Sequence, residues 1–163
     1  MNKVIKNISL IITGLMILAF AGCMPDDDFE TPLTYQEQLA VDIDIIDQYL
    51  ADNSIDAEED KSGLRYVITE QGTGANPDLT DDVTINYEGR LLSNNNLFDE
   101  GENVEFPLDR LIDGWQIGLP KIKEGGSIIL YIPSGLGYGT SGAGGSIPAN
   151  ANLIFEIDLI SVN

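Results

Sequence analysis

From Gly63 to the C-terminus, apolar side chains fall on every second position in short runs, and glycines or asparagines separate the runs. Leu64-Tyr66-Ile68 and Val83-Ile85-Tyr87 alternate in this way, and Val104-Phe106-Leu108, Ser127 to Ile132 and Leu153 to Val162 read as further strands. Gly72, Gly74, Asn76-Pro77, Asn94 to Asn96 and Gly125-Gly126 mark the turns between them. A single helical segment fits among the strands, Leu111 to Leu119, and it stops before Pro120. This pattern predicts an α+β domain over residues 63–163. A twisted antiparallel sheet needs that one short helix to cover its apolar face.

Ahead of the domain the period changes. Thr34-Tyr35-Gln36-Glu37 has the form of a capping box, and Leu39, Ile43, Ile46 and Leu50 come after it at helical spacing. They predict a helix over Tyr35 to Ala51 within an extension, residues 34–62, whose remainder, Asn53 to Ser62, reads as a polar linker. The apolar stripe suits docking on the helix's own domain or, as a weak homodimer through residues 35–51, on a second copy of the chain.

The N-terminus carries a different signal. Lys3 and Lys6 precede an apolar run from Ile8 to Ala21, too short for an ordinary membrane span and laid out as a signal peptide over residues 1–22. Phe20-Ala21-Gly22-Cys23 resembles the lipobox of bacterial lipoproteins, with Phe20 where Leu is usual. That resemblance implies lipidation of Cys23, an acidic tether over residues 23–33, and a protein held on a membrane of the cell envelope. Asp26-Asp27-Asp28 reads as a solvated spacer, and it also resembles acidic tracts that direct lipoproteins to the outer membrane, facing the periplasm or the surface.

Charge and missing residue types narrow the chemistry. The chain holds 27 Asp and Glu against 8 Lys and Arg, for a formal net charge of −19, which opposes binding to nucleic acid. Cys23 is the single cysteine, so an internal disulfide is impossible and thiolate metal sites are excluded. There are 0 histidines, which removes Ser-His-Asp and Cys-His catalysis. No cofactor and no metal is implied. The glycine-rich run "GLGYGTSGAGG", Gly135 to Gly145, contains a GxGxxG spacing, but the residues after it, Ser146 to Ile160, read as a turn and a strand. A dinucleotide fingerprint needs a helix there, so this loop serves another purpose.

Aromatic and apolar residues beside glycines stand out: Tyr87, Phe98-Asp99, Phe106, Leu111 to Trp115, Tyr138, Ile147-Pro148 and Phe155. In order, "INYEG", "LFDEG", "VEFPLDRLIDGW", "GLPKIKEGG", "YIPSGLGYG" and "GGSIPANANLIFEIDLI" resemble the FKBP-type peptidyl-prolyl cis-trans isomerases over Leu64 to Val162. The resemblance implies a sheet wrapped around one short helix and a proline pocket built from Tyr87, Phe98, Asp99, Leu111, Ile112, Trp115, Tyr138, Ile147 and Phe155. Trp115 is implied as the floor, and Tyr87, Phe98 and Phe155 as walls. The Ile112 N–H and the Tyr138 hydroxyl are implied to bind substrate carbonyls, and Asp99 to hold the Tyr87 hydroxyl. The glycine-rich loop is implied to overhang this pocket. Between Phe98 and Phe106 the chain is shorter than the familiar small members, and Val104 is placed where many of them have an aromatic wall. The expected activity is isomerisation of X-Pro bonds in exported proteins, without covalent steps. The alternatives are a non-catalytic chaperone or proline-peptide-binding lipoprotein, and a structural lipoprotein that pairs through its helix.

Overall fold

Alternation becomes burial in a six-stranded antiparallel sheet. A computed structural model describes residues 32–163; the leader, Cys23 and the Asp26–Asp28 run lie outside the described residues. The strands are β1 (Glu58–Glu59), β2 (Arg65–Glu70), β3 (Asp82–Leu91), β4 (Leu97–Pro107), β5 (Ser127–Ile132) and β6 (Leu153–Val162). Their order across the sheet is β1-β2-β5-β6-β3-β4, which makes β4 one edge. Two helices complete the architecture, α1 (Tyr35–Asp52) and α2 (Asp113–Gly118).

The two faces of the sheet are covered by different helices. Leu130 pairs with Phe155, and both belong to a core that includes Leu64, Ile85, Leu108, Ile128 and Leu159 and is closed by Trp115 of α2. One residue along, Tyr131 pairs with Ile154, and these pack with Ile46 and Leu50 of α1 in a second cluster. Each fully buried aliphatic side chain contributes about 1.5–3 kcal/mol, so the period-two pattern stabilises both helix contacts. α2 has 6 residues, far fewer than an isolated helix needs in water, and it persists because it lies unusually close to the sheet. A Cβ at Gly114 would come within 2.7 Å of Ile132, and one at Gly118 within 2.6 Å of Leu130.

α1 begins at the expected capping box. Thr34 Oγ1 accepts from the Glu37 N–H at 3.3 Å, and Glu37 Oε2 accepts from the Thr34 N–H at 2.9 Å. The helix docks on its own domain. Ile46 and Leu50 are buried, Leu39 and Ile43 lie against Gly63, whose φ of +95° suits glycine, and Arg65 of β2 donates to both Asp47 oxygens at 2.9 and 3.0 Å.

Three expectations change in detail. The stretch Asn53 to Ser62 is more than a linker, since β1 adds to the edge of β2 and Lys121 donates to Asp60 at 2.9 Å. β4 starts at Leu97, well before Val104, because the short segment pairs with β3 through a bulge at Asn103, where φ is +52° and the N–H donates to Asn86 Oδ1 at 2.8 Å. Leu108 leaves the strand for a single 3₁₀ turn that buries it completely. Among the described residues no helix is long and apolar enough to cross a membrane.

Two outcomes test this packing. Gly118→Val should lower unfolding stability by about 1–3 kcal/mol through overpacking against Leu130, and an unchanged melting temperature would show that α2 does not press on the sheet. Lys121 foremost, and then Ser62, hold the Asp60 carboxyl down at about 2. A depressed carboxyl contributes stability that is complete above its ordinary value of 3.8 and is lost as pH falls toward about 2. The stability gap between wild type and Asp60→Asn should therefore close across that window in acid unfolding, and a gap independent of pH would refute the pairing.

Candidate active site

Strand, helix and loop each bring part of one apolar cavity. β3 supplies Tyr87, β4 supplies Asp99 and Phe106, and β6 supplies Phe155. Leu111 and Ile112 come from the segment that enters α2, Trp115 from α2 itself, and Tyr138 from the excursion between β5 and β6. Arg110 stands at the rim. The cavity holds about 250 Å³.

Edge-to-face aromatic packing shapes its interior. The Trp115 ring lies 4.9 Å from Phe155 at 88° and 5.2 Å from Tyr87 at 73°, and Phe106 meets Trp115 at 6.5 Å and 81°. These are the arrangements that ring quadrupoles favour. Phe98 stands behind Phe155 at 5.5 Å and 87° and does not line the cavity. Two glycines make room for the rings. A Cβ on Gly89 would sit 2.6 Å from Phe155, and one on Gly101 would sit 2.6 Å from Tyr87.

Polar groups are few, and each has a definable state. The Tyr87 hydroxyl donates to Asp99 Oδ2 at 3.0 Å, which fixes that wall. Burial pushes the Tyr87 hydroxyl up to about 12, with the Asp99 hydrogen bond adding to it, and burial with the Asp99 charge raises Tyr138 as well. The Ile112 N–H and the Tyr138 hydroxyl donate to no acceptor among the described residues, so two donors are free at the cavity. Trp115 Nε1 is buried and has no hydrogen-bond partner among the described residues, a local cost that folded domains tolerate mainly at sites used for something else.

The structure gathers most of the residues singled out in the sequence. Tyr87, Asp99, Leu111, Ile112, Trp115, Tyr138 and Phe155 converge on the cavity. Ile147 does not line it; it is 8% exposed, pairs with Ala143 across a small hairpin in the loop, and packs into the core. Val104 does not line it either. Its partner across the strands is Ile85, and Phe106, two residues on, takes the wall position instead. The signal for Phe106 was its alternation with Val104 on one strand face; Arg110 carried no sequence signal. The glycine-rich run leads into β6 and not into a helix, in keeping with its role as a carrier of Tyr138. A larger groove of about 580 Å³ lies among Asn86, Glu88, Glu100, Glu102, Glu156 and Asp158. On β6 its acids alternate with the buried Phe155 and Ile157, so it belongs to the solvated side of the strands, and Tyr87 is the aromatic residue it shares with the smaller cavity.

Comparison with known proteins agrees with this geometry. The family model described as FKBP-type peptidyl-prolyl cis-trans isomerase matches residues 74–160. A probable isomerase FkpA of Neisseria meningitidis is 46% identical over 105 residues, covering 62% of this chain and 38% of that protein. The isomerase Mip of Coxiella burnetii is 45% identical over 105 residues, covering 62% and 45%. The chain thus spans less than half the length of these two relatives. Among solved structures, FkpA from Escherichia coli superposes with a TM-score of 0.67 at 35% identity, covering 78% of this chain and 62% of that one. An isomerase from Pseudomonas syringae gives 0.68 at 31%, covering 82% and 98%. By sequence match and by fold, the chain belongs to the FKBP-type peptidyl-prolyl cis-trans isomerase family.

Proposed function

We propose that this protein is a peptidyl-prolyl cis-trans isomerase that acts on X-Pro bonds of exported polypeptides, tethered to a membrane of the cell envelope through lipid on Cys23. The observation that carries the reading is the cavity of about 250 Å³ over Trp115, with two free donors, Ile112 N–H and Tyr138 Oη, at its border. A proline ring on the indole places its preceding amide within reach of those donors. Rotation about that amide faces a barrier of about 18–20 kcal/mol because planarity carries resonance energy. Twisting removes the resonance and leaves a less polar carbonyl, so an apolar cavity that strips water from the amide favours the twisted form. Each tenfold acceleration requires about 1.4 kcal/mol, and ring contacts with one or two hydrogen bonds supply several such steps.

No step moves a proton through the protein. The chain has 0 histidines, and both cavity tyrosines remain phenols well past neutrality. The envelope assignment rests on the lipobox resemblance at Cys23 and the apolar run before it. A homodimer through residues 35–51 would have to use Tyr35, Val41 and Ile45, the large exposed hydrophobic residues of α1, since Ile46 and Leu50 are already buried on the domain.

The test is cis-trans interconversion of an X-Pro peptide, followed by NMR exchange with the full chain. Trp115→Leu should lower kcat/KM at least about tenfold and Tyr138→Phe by a smaller, few-fold factor, as one hydrogen bond is lost. A larger loss at Tyr138 would mean that the floor is not the dominant contact. From about pH 6 to about pH 9 the rate should stay flat, and a bell-shaped profile would contradict the mechanism. A folded protein that binds proline peptides without accelerating them would move the assignment to a binding module.

A further inference from the structure

Tyr138 reaches the cavity from an excursion that leaves β5 at Pro133 and rejoins the sheet at Asn152. Both stems of that excursion are held by one residue of α1. Ser134, at the first stem, donates its N–H to Asp42 Oδ2 at 2.9 Å and to Asn152 Oδ1 at 3.0 Å, and its hydroxyl to the same Asp42 oxygen at 2.6 Å. Asn152, at the second stem, donates to the Asp42 carbonyl at 3.5 Å, and Gln38 donates to Asp42 Oδ1 at 2.8 Å. Asp42 and Ser134 are each 1% exposed and Asn152 is 8% exposed.

A carboxylate this deep is costly unless its oxygens are fully hydrogen-bonded, and docking alone would be served better by an apolar residue. α1 already has Ile46 and Leu50 for docking and the Asp47–Arg65 pair for orientation. Asp42 lies instead where the two stems meet. From there the path to the cavity is short and stiff. Ser134–Leu136 forms a 3₁₀ turn, the Gly137 N–H donates back to Ser134 at 3.0 Å, and the next residue is Tyr138. The Tyr35 ring, at the start of the helix, presses on the same turn, since a Cβ on Gly135 would lie 2.7 Å from it.

We propose that Asp42 is a positioning residue of the prolyl site, and that α1 holds the loop stems so that the Tyr138 hydroxyl meets the substrate carbonyl. This rests on the isomerase reading of the cavity. It assigns to the extension a part in turnover that the cavity-lining residues alone do not reveal.

The experiment compares Asp42→Ala, Asp42→Asn and Asp47→Ala in the full chain, at a temperature where all are folded. Asp42→Ala should lower kcat/KM by a few-fold factor, no more than Tyr138→Phe does, since it acts through that hydroxyl. Asp42→Asn keeps an acceptor for Ser134 and should recover most of that loss. Asp47→Ala loosens the same helix from β2 without touching the loop and should stay within about twofold of wild type. In a Tyr138→Phe background the Asp42→Ala effect should shrink to within about twofold, because the group being positioned is gone. Amide exchange of residues 137–141 should quicken in Asp42→Ala and not in Asp47→Ala. Wild-type turnover in Asp42→Ala, an undiminished effect beside Tyr138→Phe, or an equal loss in Asp47→Ala would each overturn the proposal. If Asp42→Ala does not fold, Ser134→Ala removes only the 2.6 Å bond, and unchanged loop exchange there would overturn it too. A wild-type chain without isomerase activity would sink the isomerase reading, while the exchange comparison would still decide whether Asp42 holds the loop.

Discussion

The contact on which the site depends is the close approach of α2 to the sheet. Gly114 and Gly118 bring the helix backbone against Ile132 and Leu130, and the side chain they bracket, Trp115, is thereby packed into the core against the sheet. A helix of this length has no stability of its own. Its position is dictated by the strands, and so is that of the indole. Everything else in the cavity is arranged relative to that ring: Phe155 and Tyr87 meet it edge-on from β6 and β3, and Phe106 from β4. In a site built this way each ring is either part of the core, as Trp115 and Phe155 are, or packed against it, as Tyr87 and Phe106 are.

The edge strand works under a different constraint. β4 has to pass from the rim at Asp99 to the wall at Phe106 in few residues, and a bulge at Asn103 makes that possible by taking up one residue out of register. Exposed acids at Asp99, Glu100, Glu102 and Glu105 line this free edge. Like charges there oppose pairing with another strand, which is how an open edge avoids aggregation. The chain's negative excess has this local use.

Much of this was legible in the residues, and the remainder was hidden for physical reasons. The capping box at Thr34 and the alternation along β3 and β6 are local signals, and they appear where the sequence places them. β1 has two residues, too few for any period, and it forms only because Tyr66 and Arg65 across from it are already in a strand. The exchange of Val104 for Phe106 at the wall is one of position along a single strand face, Val104 opposite Ile85 and Phe106 opposite Val83, and alternation alone does not rank two residues of the same face. Asp42 is the instructive miss. It sits three residues after Leu39 and four before Ile46, within the apolar stripe of α1, yet a reading that tracks only apolar positions passes over it. An acid on the buried face of a helix has to find donors, and here the two that serve Oδ2, both on Ser134, are 92 residues away.

The distribution of charge around the cavity fits the proposed chemistry. A twisted amide is favoured where water is absent, and an ionised group on the floor would bring water with it. Asp99 and Arg110 both stand at the exposed rim, and no charged side chain lines the interior among the described residues. Asp99 acts inward only through the Tyr87 hydroxyl, a neutral group that it holds in place. The carboxylate thus orders a wall while remaining hydrated itself, so the wall gains a fixed orientation and the interior keeps its low polarity. Catalysis by desolvation requires that separation: electrostatic order at the margin, and rings at the centre.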